Sequence, residues 1–396
     1  MKYRYIFLTA GRILSQPNRG VNLDETLFVP TARYLSQEVF STRRALLRRY
    51  LLACYVLMIV YASLSPFVGW RVPESDFRHV LATPLQQAYT AFDALTNWLA
   101  YLPLGLLLAL TLMTRQNIRR SLLFATLGGL LLSGLMEYVQ YFLPSRASAL
   151  IDVLTNGAGA FCGALLAVII APQAWFARIT RWRIDLLQRG AGVDFGLALT
   201  VLWMFAQINP SLPMLGNVFI TATPAFPALA EVSFSPLGGL AVALNLWLAG
   251  MLLLTLFRHQ RAAVSSLLLI LCGVALGKFI MAAVLLKSWA LMLWLNGETM
   301  LGLVLGLVLL GLSACLRGTQ LLPLLFLTAG GYMLLVFGVM DSDAPSAAMQ
   351  LYHWHYGHLR NLNRMAQTVS VLFPLLLWLY LGLAHQRILD HNRRFR

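Results

Sequence analysis

The feature that most constrains this chain is a series of ten long apolar segments. A helix that crosses a bilayer needs about 20 consecutive, mostly apolar residues. Hydrophobic residues make up 59% of the 396 residues and charged residues only 11%, whereas soluble domains carry about 25% charged residues. The sequence therefore predicts an all-α, polytopic transmembrane helix bundle of about ten spans and excludes a soluble protein. The predicted spans are 46–68, 91–113, 121–143, 150–171, 192–208, 236–257, 263–286, 289–315, 321–340 and 366–384.

Two of these spans are the least typical. The fifth, 192–208, is short for a helix that crosses a bilayer. The eighth, 289–315, contains the polar residues Asn296, Gly297 and Glu298. We therefore expect any difference between the predicted spans and the structure to fall in these two segments.

The distribution of basic residues predicts the orientation of the bundle. The chain carries 30 Lys and Arg against 15 Asp and Glu, a formal net charge of +15. Ten spans place 23 of the 30 basic residues on the side of both termini and six on the other side. Cytoplasmic loops carry an excess of Lys and Arg, so both termini are predicted to be cytoplasmic. The positive charge then reflects orientation and contact with anionic lipids, and nucleic-acid binding is not expected because no folded basic module is present.

The spans and the polar segments between them predict five regions. Between the fourth and fifth spans, Trp175, Ile179, Trp182 and Leu186 recur at helical spacing and indicate an amphipathic helix. Such a helix with basic neighbours is typical of a membrane interface, although a regulatory surface is an alternative. The regions are a basic cytoplasmic segment 1–45, a four-helix membrane domain 46–171, an interfacial linker 172–191, a second membrane domain of about six helices 192–384, and a basic cytoplasmic tail 385–396.

Small residues and cysteines carry structural information only. The GxxxG pairs Gly159/Gly163, Gly273/Gly277 and Gly302/Gly306 are typical of closely packed membrane helices. The four cysteines lie singly in apolar runs without a CxxC pair, so neither a disulfide framework nor a zinc site is expected. No nucleotide-binding or hydrolase motif occurs in a plausible context, and no cofactor is predicted.

Polar side chains converge at the predicted outer ends of spans two, three and four. Ionisable residues inside spans are costly, which makes each of them a functional candidate. At a rise of 1.5 Å per residue, all of these residues lie within about 10 Å of the outer boundary. The candidates are Asp93 and Asn97, Glu137 and Gln140, Arg146 in the outer loop, and Asp152 and Asn156.

This group of residues has a structural and a functional interpretation. Asp93 and Asp152 could cap helix N-termini, and Arg146 could neutralise Glu137 across the loop. Glu137 fits this interpretation poorly, because it lies near the end of its own helix, where the macrodipole disfavours an anion. Glu137 is therefore the best candidate for a functional residue.

The same residues resemble the VanZ-like family. The run that closes span one, Ser63-Leu64-Ser65-Pro66-Phe67, also fits the family. The resemblance covers about residues 50–170, four of the ten spans. It is carried by D-x-x-x-N-x-x-x-Y-x-P-x-G (Asp93, Asn97, Tyr101, Pro103, Gly105), E-x-x-Q-x-x-x-P-x-R (Glu137, Gln140, Pro144, Arg146) and D-x-x-x-N-x-x-G (Asp152, Asn156, Gly159).

The resemblance implies a role in the cell envelope of a bacterium. The namesake of the family is associated with low-level resistance to the glycopeptide teicoplanin, which acts outside the membrane on cell-wall precursors. The implied location is therefore the plasma (inner) membrane, and the implied ligand is a lipid-linked or glycan intermediate met at the outer face. The family supplies no established reaction.

The second predicted membrane domain, 192–384, is called the second half below. It contains two groups of candidate residues with weaker support. Lys278 lies nine residues before Lys287 and Glu298 eleven residues after it, so Lys278 and Glu298 are expected at similar depth. They could form a structural ion pair or an ion or proton pathway, unless a span is misassigned. His353, His355 and His358 could bind a metal, but the interleaved aromatic residues favour an interfacial belt, and no metal site is predicted.

Three functions remain open from the sequence. The first is a non-enzymatic envelope protein that contacts membrane lipids and binds a lipid-linked or glycan ligand through the seven outer residues. The second is an enzyme that acts on such a ligand with Glu137 as general acid or base. The third is a transporter that uses Lys278 and Glu298. We favour the first, because no catalytic motif is present.

Overall fold

The computed structural model describes most of the chain after its N-terminal segment. The described residues are 28–74, 76–77, 91–144, 146, 148–190, 192–220, 234–316, 318–340, 347–354 and 357–394. The chain divides into two units, 1–43 and 44–396. The side chains discussed below all belong to the second unit.

Eleven α-helices account for most of the described residues, which confirms the predicted all-α class. Among the described residues, β pairing is limited to two isolated bridges, Leu187 with Phe257 and Leu286 with Tyr352. The helices are α1 (Phe28–Leu64), α2 (Ala91–Leu112), α3 (Ile118–Gln140), α4 (Leu150–Ile170), α5 (Ala174–Leu186), α6 (Val193–Gln207), α7 (Pro236–Leu256), α8 (Gln260–Leu285), α9 (Gly297–Ala314), α10 (Gly318–Met333) and α11 (Gly357–Arg394).

Nine of the described helices are long and apolar enough to cross a membrane, which supports a polytopic membrane protein. The predicted fifth span corresponds to α6, which has only 15 residues and is too short to count as a tenth. The predicted eighth span began too early: α9 starts at Gly297, because the Asn296 side chain accepts a hydrogen bond from Thr299 N at 3.0 Å and caps the helix there. The location of the termini stays a prediction.

Helices α2 and α4 approach each other closely because small residues line their contact. An ideal Cβ at Gly163 would lie 1.9 Å from the carbonyl oxygen of Leu102, and one at Gly159 would lie 2.2 Å from that of Trp98. From the other side, a Cβ at Gly105 would meet the carbonyl oxygen of Ala160 at 1.9 Å. Helix α3 packs against both α2 and α4. The predicted packing role of the Gly159/Gly163 pair is confirmed.

Helix α7 forms the centre of the second half. Of its most apolar 18-residue window, 78% is buried inside the protein, and α8, α9 and α10 pack around it. Gly302 and Gly306 of α9 face Val242 and Leu246 of α7, so this GxxxG pair marks close packing as predicted. The pair Gly273/Gly277 does not: a Cβ at Gly273 would meet nothing within 4 Å, and one at Gly277 would make only ordinary contact with Ile208.

Helix α1 connects the four-helix region to the second half. Tyr50 packs its ring edge-on against Phe195 of α6, with ring centroids 5.6 Å apart. Farther along α1, the Tyr61 hydroxyl accepts a hydrogen bond from Thr368 Oγ1 of α11 at 2.8 Å. The two halves are therefore joined through the part of α1 between Tyr50 and Tyr61.

Helix α5 confirms the predicted amphipathic segment as a helix with an exposed apolar face. Trp175, Ile179, Trp182 and Leu186 are between 42% and 59% exposed. The end of the helix is tied to α6 by an ion pair between Arg183 and Asp194, with the nitrogen and oxygen 3.1 Å apart. Its place at a membrane interface stays a prediction.

The glycine contacts generate a prediction about stability. Gly163→Ala places a methyl group against the Leu102 carbonyl oxygen and should lower the free energy of unfolding by about 1–3 kcal/mol, as overpacking does elsewhere. Gly273→Ala meets open space and should leave stability equal or raise it by up to about 1 kcal/mol, since alanine favours helix. Thermal unfolding in detergent measures both. Equal stability of the two variants would contradict the close contact of α2 and α4.

Candidate functional site

Four helix ends meet at one end of the first half, residues 46–171. They carry the predicted polar residues. The four ends are the end of α1, the start of α2, the end of α3 and the start of α4. Asn97 Nδ2 of α2 donates to Asp152 Oδ1 of α4 at 2.7 Å. The two D-x-x-x-N motifs are thus joined in space, although 55 residues separate Asn97 from Asp152 in the chain.

Glu137 lies at the end of α3 and also at the start of α4. Its Oε2 accepts a hydrogen bond from the backbone N–H of Ala149, the N-cap residue of α4, at 2.9 Å. Its backbone carbonyl accepts one from Ser148 Oγ at 2.8 Å. The side chain is buried, with 4% of the residue exposed. The N-terminal dipole of α4 and a free N–H therefore stabilise the anion, which is why the end of α3 tolerates it.

Tyr101 and Ser133 complete the polar cluster around Glu137. Neither is among the predicted site residues, although Tyr101 belongs to the family motif. Asn156 Nδ2 donates to Ser133 Oγ at 2.9 Å. The Tyr101 phenol lies beside Ser133, and Glu137 and Asp152 are close enough to act on it electrostatically. Tyr101 follows Asn97 by four residues, so helical spacing on α2 was a signal that could have found it.

Asn156 has an unused acceptor inside this cluster. The residue is 6% exposed, and its Oδ1 has no hydrogen-bond partner in the part of the chain that the structure describes. A buried polar atom without a partner costs about 1–3 kcal/mol. The neighbouring carboxylates of Glu137 and Asp152 also repel each other, because both carry negative charge when ionised. The cluster therefore contains one acceptor without a donor among the described residues, Asn156 Oδ1, beside two carboxyl groups.

Arg146 and Gln140 bind the end of α1 rather than the carboxylates. Arg146 Nη2 donates to the carbonyl oxygens of Ala62 at 2.9 Å and Ser65 at 2.8 Å, and Gln140 Nε2 donates to that of Ser63 at 2.9 Å. Burial lowers the pKa of the Arg146 guanidinium, and the charge of Arg364 lowers it further, whereas Glu137 acts in the opposite direction. The expected Arg146–Glu137 salt bridge does not form: ion pairing among the described residues is limited to Arg183 and Asp194.

Asp93 and Asp152 were both predicted to cap helix N-termini, and the structure shows a different contact for Asp152. Asp152 lies in the first turn of α4, but the N-cap is Ala149, which makes no side-chain capping bond. Asp152 instead accepts from Asn97. Asp93 lies half-buried in the first turn of α2, one turn before Asn97, where a negative charge favours the helix.

These observations define a helical membrane domain with two features. Small residues allow its helices to pack closely, and polar side chains form hydrogen bonds with each other at one end of it. The family model described as VanZ/LLP1 matches residues 39–171, so this segment carries a VanZ-like domain and the resemblance is confirmed over about a third of the chain. No curated protein matches the chain, and no solved structure does.

In the second half, Lys278 and Glu298 have different partners and do not form the expected pair. Lys278 is fully buried, and its Nζ donates to the carbonyl oxygens of Asn209 and Leu212, the latter at 2.8 Å. Glu298 Oε1 accepts from the backbone N–H of Ser235, the N-cap of α7, at 2.9 Å. A 3-10 turn at Ser288–Ala290 lies between the two residues along the chain.

Lys278 belongs to a buried network that holds the non-helical loop 208–220. Asn209 Nδ2 donates to Asn363 Oδ1 at 3.0 Å, and Ser211 Oγ donates to the same oxygen at 3.1 Å. Tyr352 also donates to it, at 2.7 Å, and burial raises the pKa of Tyr352 to about 12, so the hydroxyl remains a donor. The predicted spans 192–208 and 236–257 leave this loop outside any helix, and Asn209, Pro210, Ser211, Pro213 and Gly216 form a typical loop composition. Its buried contacts with Lys278 and Asn363 were not predicted.

The three histidines are only partly described. His353 is exposed, with its ring 5.7 Å from that of Trp354. His355 and the side chain of His358 lie outside the described residues. Within the part of the chain that is described, no group of three or more His, Cys, Asp or Glu residues could hold a metal ion. The aromatic interpretation of this segment stays a prediction.

The Lys278 contacts generate a second prediction. Lys278→Met keeps the length of the side chain but leaves the carbonyl oxygens of Asn209 and Leu212 without their donor, at about 1–3 kcal/mol for each buried acceptor. We expect faster hydrogen exchange of residues 208–220 and a lower melting temperature. Lys287→Met is the matched control, since no hydrogen bond of its side chain holds this loop. Unchanged exchange in Lys278→Met would contradict the role of Lys278 in the loop.

Proposed function

We propose that this chain is a bacterial envelope protein that binds a hydroxyl-bearing, lipid-linked or glycan ligand at the Glu137 end of its first half. The single observation that carries the proposal is the buried Asn156 Oδ1 without a partner, next to the carboxylates of Glu137 and Asp152. Buried polar groups in proteins are almost always hydrogen-bonded. An acceptor-rich cluster needs donors, and the hydroxyl groups of a sugar supply them.

The residues around the cluster have distinct roles in this proposal. Glu137, Asp152 and Asn156 accept hydrogen bonds from the ligand, and Asn97 orients Asp152 through the 2.7 Å bond. Asp93, one turn before Asn97, extends the acceptor surface toward the end of the bundle. Gln140 and Arg146 shape the rim, because both are held by the carbonyl groups at the end of α1.

The location in the envelope is supported by composition and by the family. The positive-inside pattern favours an outer position for this end of the bundle, in the plasma membrane of a bacterium. The VanZ/LLP1 match over residues 39–171 favours a connection with cell-wall precursors and glycopeptide resistance. A ligand of that kind has a lipid tail in the bilayer and sugars at its surface, where the cluster lies.

An enzyme and a transporter are the two alternatives to a binding role, and the structure supports them unequally. An enzyme is favoured by Tyr101, whose phenol adds a proton donor beside Glu137 and Asp152. The transporter alternative depends on a Lys278–Glu298 pair. Because the two side chains bind different partners, this pair does not support it. The binding role remains the simplest, because it needs no step that the cluster must catalyse.

The proposal predicts what co-purifies with the protein. Glu137→Gln keeps the size of the side chain, and its amide oxygen can still accept from Ala149 N–H, but the negative charge is lost. We expect lipid-linked sugars found by mass spectrometry in the wild-type preparation to fall by about tenfold, which corresponds to about 1.4 kcal/mol. Thermal unfolding checks that the variant is folded.

Glu298→Gln is the matched control for this experiment. Glu298 also accepts a backbone N–H at the start of a helix, but it lies in the second half, so its variant should retain the ligand. Equal loss in both variants, or no sugar-bearing molecule with the wild type, would contradict the proposal. If Glu137→Gln instead keeps the ligand but no longer converts it chemically, the enzyme alternative is correct.

A further inference from the structure

Arg364 of α11 and Arg146 of the first half approach the same short segment of α1. Thr368 Oγ1 donates to the Tyr61 hydroxyl at 2.8 Å. Arg364 precedes Thr368 by one helical turn, on the same face of α11. Arg146 binds the carbonyl oxygens of Ala62 and Ser65, which lie one and four residues after Tyr61. The two arginines therefore approach residues 61–65 from different halves of the chain, and they are close enough for the charge of Arg364 to act on Arg146.

This arrangement leaves positive charge and hydrogen-bond donors unused. Arg364 is half-buried and makes no hydrogen bond or ion pair with the described residues. Both bonds of Arg146 use Nη2, so its Nη1 and Nε have no acceptor among those residues. The Oγ of Ser65, a residue that is 1% exposed, also lacks a partner there. The two like charges repel each other, and the repulsion is larger where water is partly excluded.

We propose that Arg146 and Arg364 together bind a phosphate or pyrophosphate group between the two halves of the protein. Guanidinium groups match the geometry of phosphate oxygens and bind them through paired, charge-assisted hydrogen bonds. An anion at this place would relieve the repulsion between the arginines and would use the free donors. No sequence or family feature assigned Arg364 to a site.

Aromatic residues place this pair near the boundary of the membrane. Trp354, just before α11, is 41% exposed and lies with its ring centroid 6.1 Å from that of Phe92 at the start of α2. Tryptophan is enriched where lipid headgroups meet water. A phosphate attached to a lipid lies at that level, so the inferred group is the anionic part of the ligand in the proposed function, on which the inference rests.

Binding of a defined lipid pyrophosphate tests the inference. The full-length protein in an uncharged detergent is titrated with farnesyl pyrophosphate, with farnesol as the uncharged control and inorganic pyrophosphate as the free anion. We expect Arg364→Gln to weaken farnesyl pyrophosphate binding by at least about tenfold and Arg364→Lys to weaken it less, because the charge remains. Binding of farnesyl pyrophosphate alone indicates a lipid-linked source, and equal binding of inorganic pyrophosphate indicates a free anion; either supports an anion site.

Arg71→Gln is the matched control, since Arg71 is exposed and is predicted on the same side of the membrane. Its affinity for farnesyl pyrophosphate should stay within about twofold of the wild type, because solvent and salt screen the charge of an exposed side chain. Equal weakening in Arg71→Gln and Arg364→Gln, or unchanged affinity in Arg364→Gln, would overturn the inference. So would binding of farnesol as tight as that of farnesyl pyrophosphate.

Stability without ligand separates binding from a purely structural role. Removing one of two repelling charges should leave Arg364→Gln at least as stable as the wild type, whereas loss of a structural arginine would lower its melting temperature. Added farnesyl pyrophosphate should raise the melting temperature of the wild type but not of the variant. Farnesyl pyrophosphate carries no sugar, and Glu298→Gln, which alters a carboxylate of the second half, should keep the wild-type affinity for it. A failure of the anion site is therefore distinguishable from a failure of sugar binding.

Discussion

The C-terminal end of α1 is the constraint on which the two halves of this structure depend. The last carbonyl groups of a helix have no partners within it, and membrane-embedded backbone cannot rely on water to satisfy them. Here Gln140 and Arg146 supply donors to Ser63, Ala62 and Ser65. One turn earlier, Tyr61 accepts from α11. The same few residues therefore end a helix, fix the polar loop of the VanZ-like domain and join it to the second half.

Apolar length predicted most of the helices, because a long apolar segment has few stable alternatives to a helix in a bilayer. The errors have local physical causes. The eighth predicted span began too early because hydropathy does not register a cap, and the Asn296 side chain starts α9 eight residues later than expected. The fifth predicted span was the shortest of the ten. The corresponding helix α6 has only 15 residues and ends at Gln207, before a buried loop.

The candidate site was predictable within single helices but not between them. Spacing of one turn grouped Asn97 with Asp93 and Asn156 with Asp152, because helical geometry is local. The bonds that the structure shows instead join Asn97 to Asp152 and Asn156 to Ser133. It could not show that Glu137, at the end of α3, is stabilised by the start of α4. For the same reason, charge alone paired Lys278 with Glu298, whereas the folded chain gives each of them backbone partners from a different element.

The surroundings of the unpartnered polar atoms, rather than their number, distinguish the two halves. Among the described residues, Ser65 Oγ, Ser121 Oγ and Asn156 Oδ1 lack partners in the first half, and Asn217 Oδ1, Asn296 Nδ2 and Ser370 Oγ lack them in the second. In the second half, carbonyl oxygens of loop 208–220 bind the fully buried amine of Lys278, so this group contributes to structure. In the first half, the unpartnered oxygen of Asn156 belongs to a cluster that also contains the carboxyl groups of Glu137 and Asp152. A polar group that the protein leaves unsatisfied costs free energy, and a ligand that satisfies it recovers that cost on binding, which is the physical basis of the function proposed for this end of the bundle.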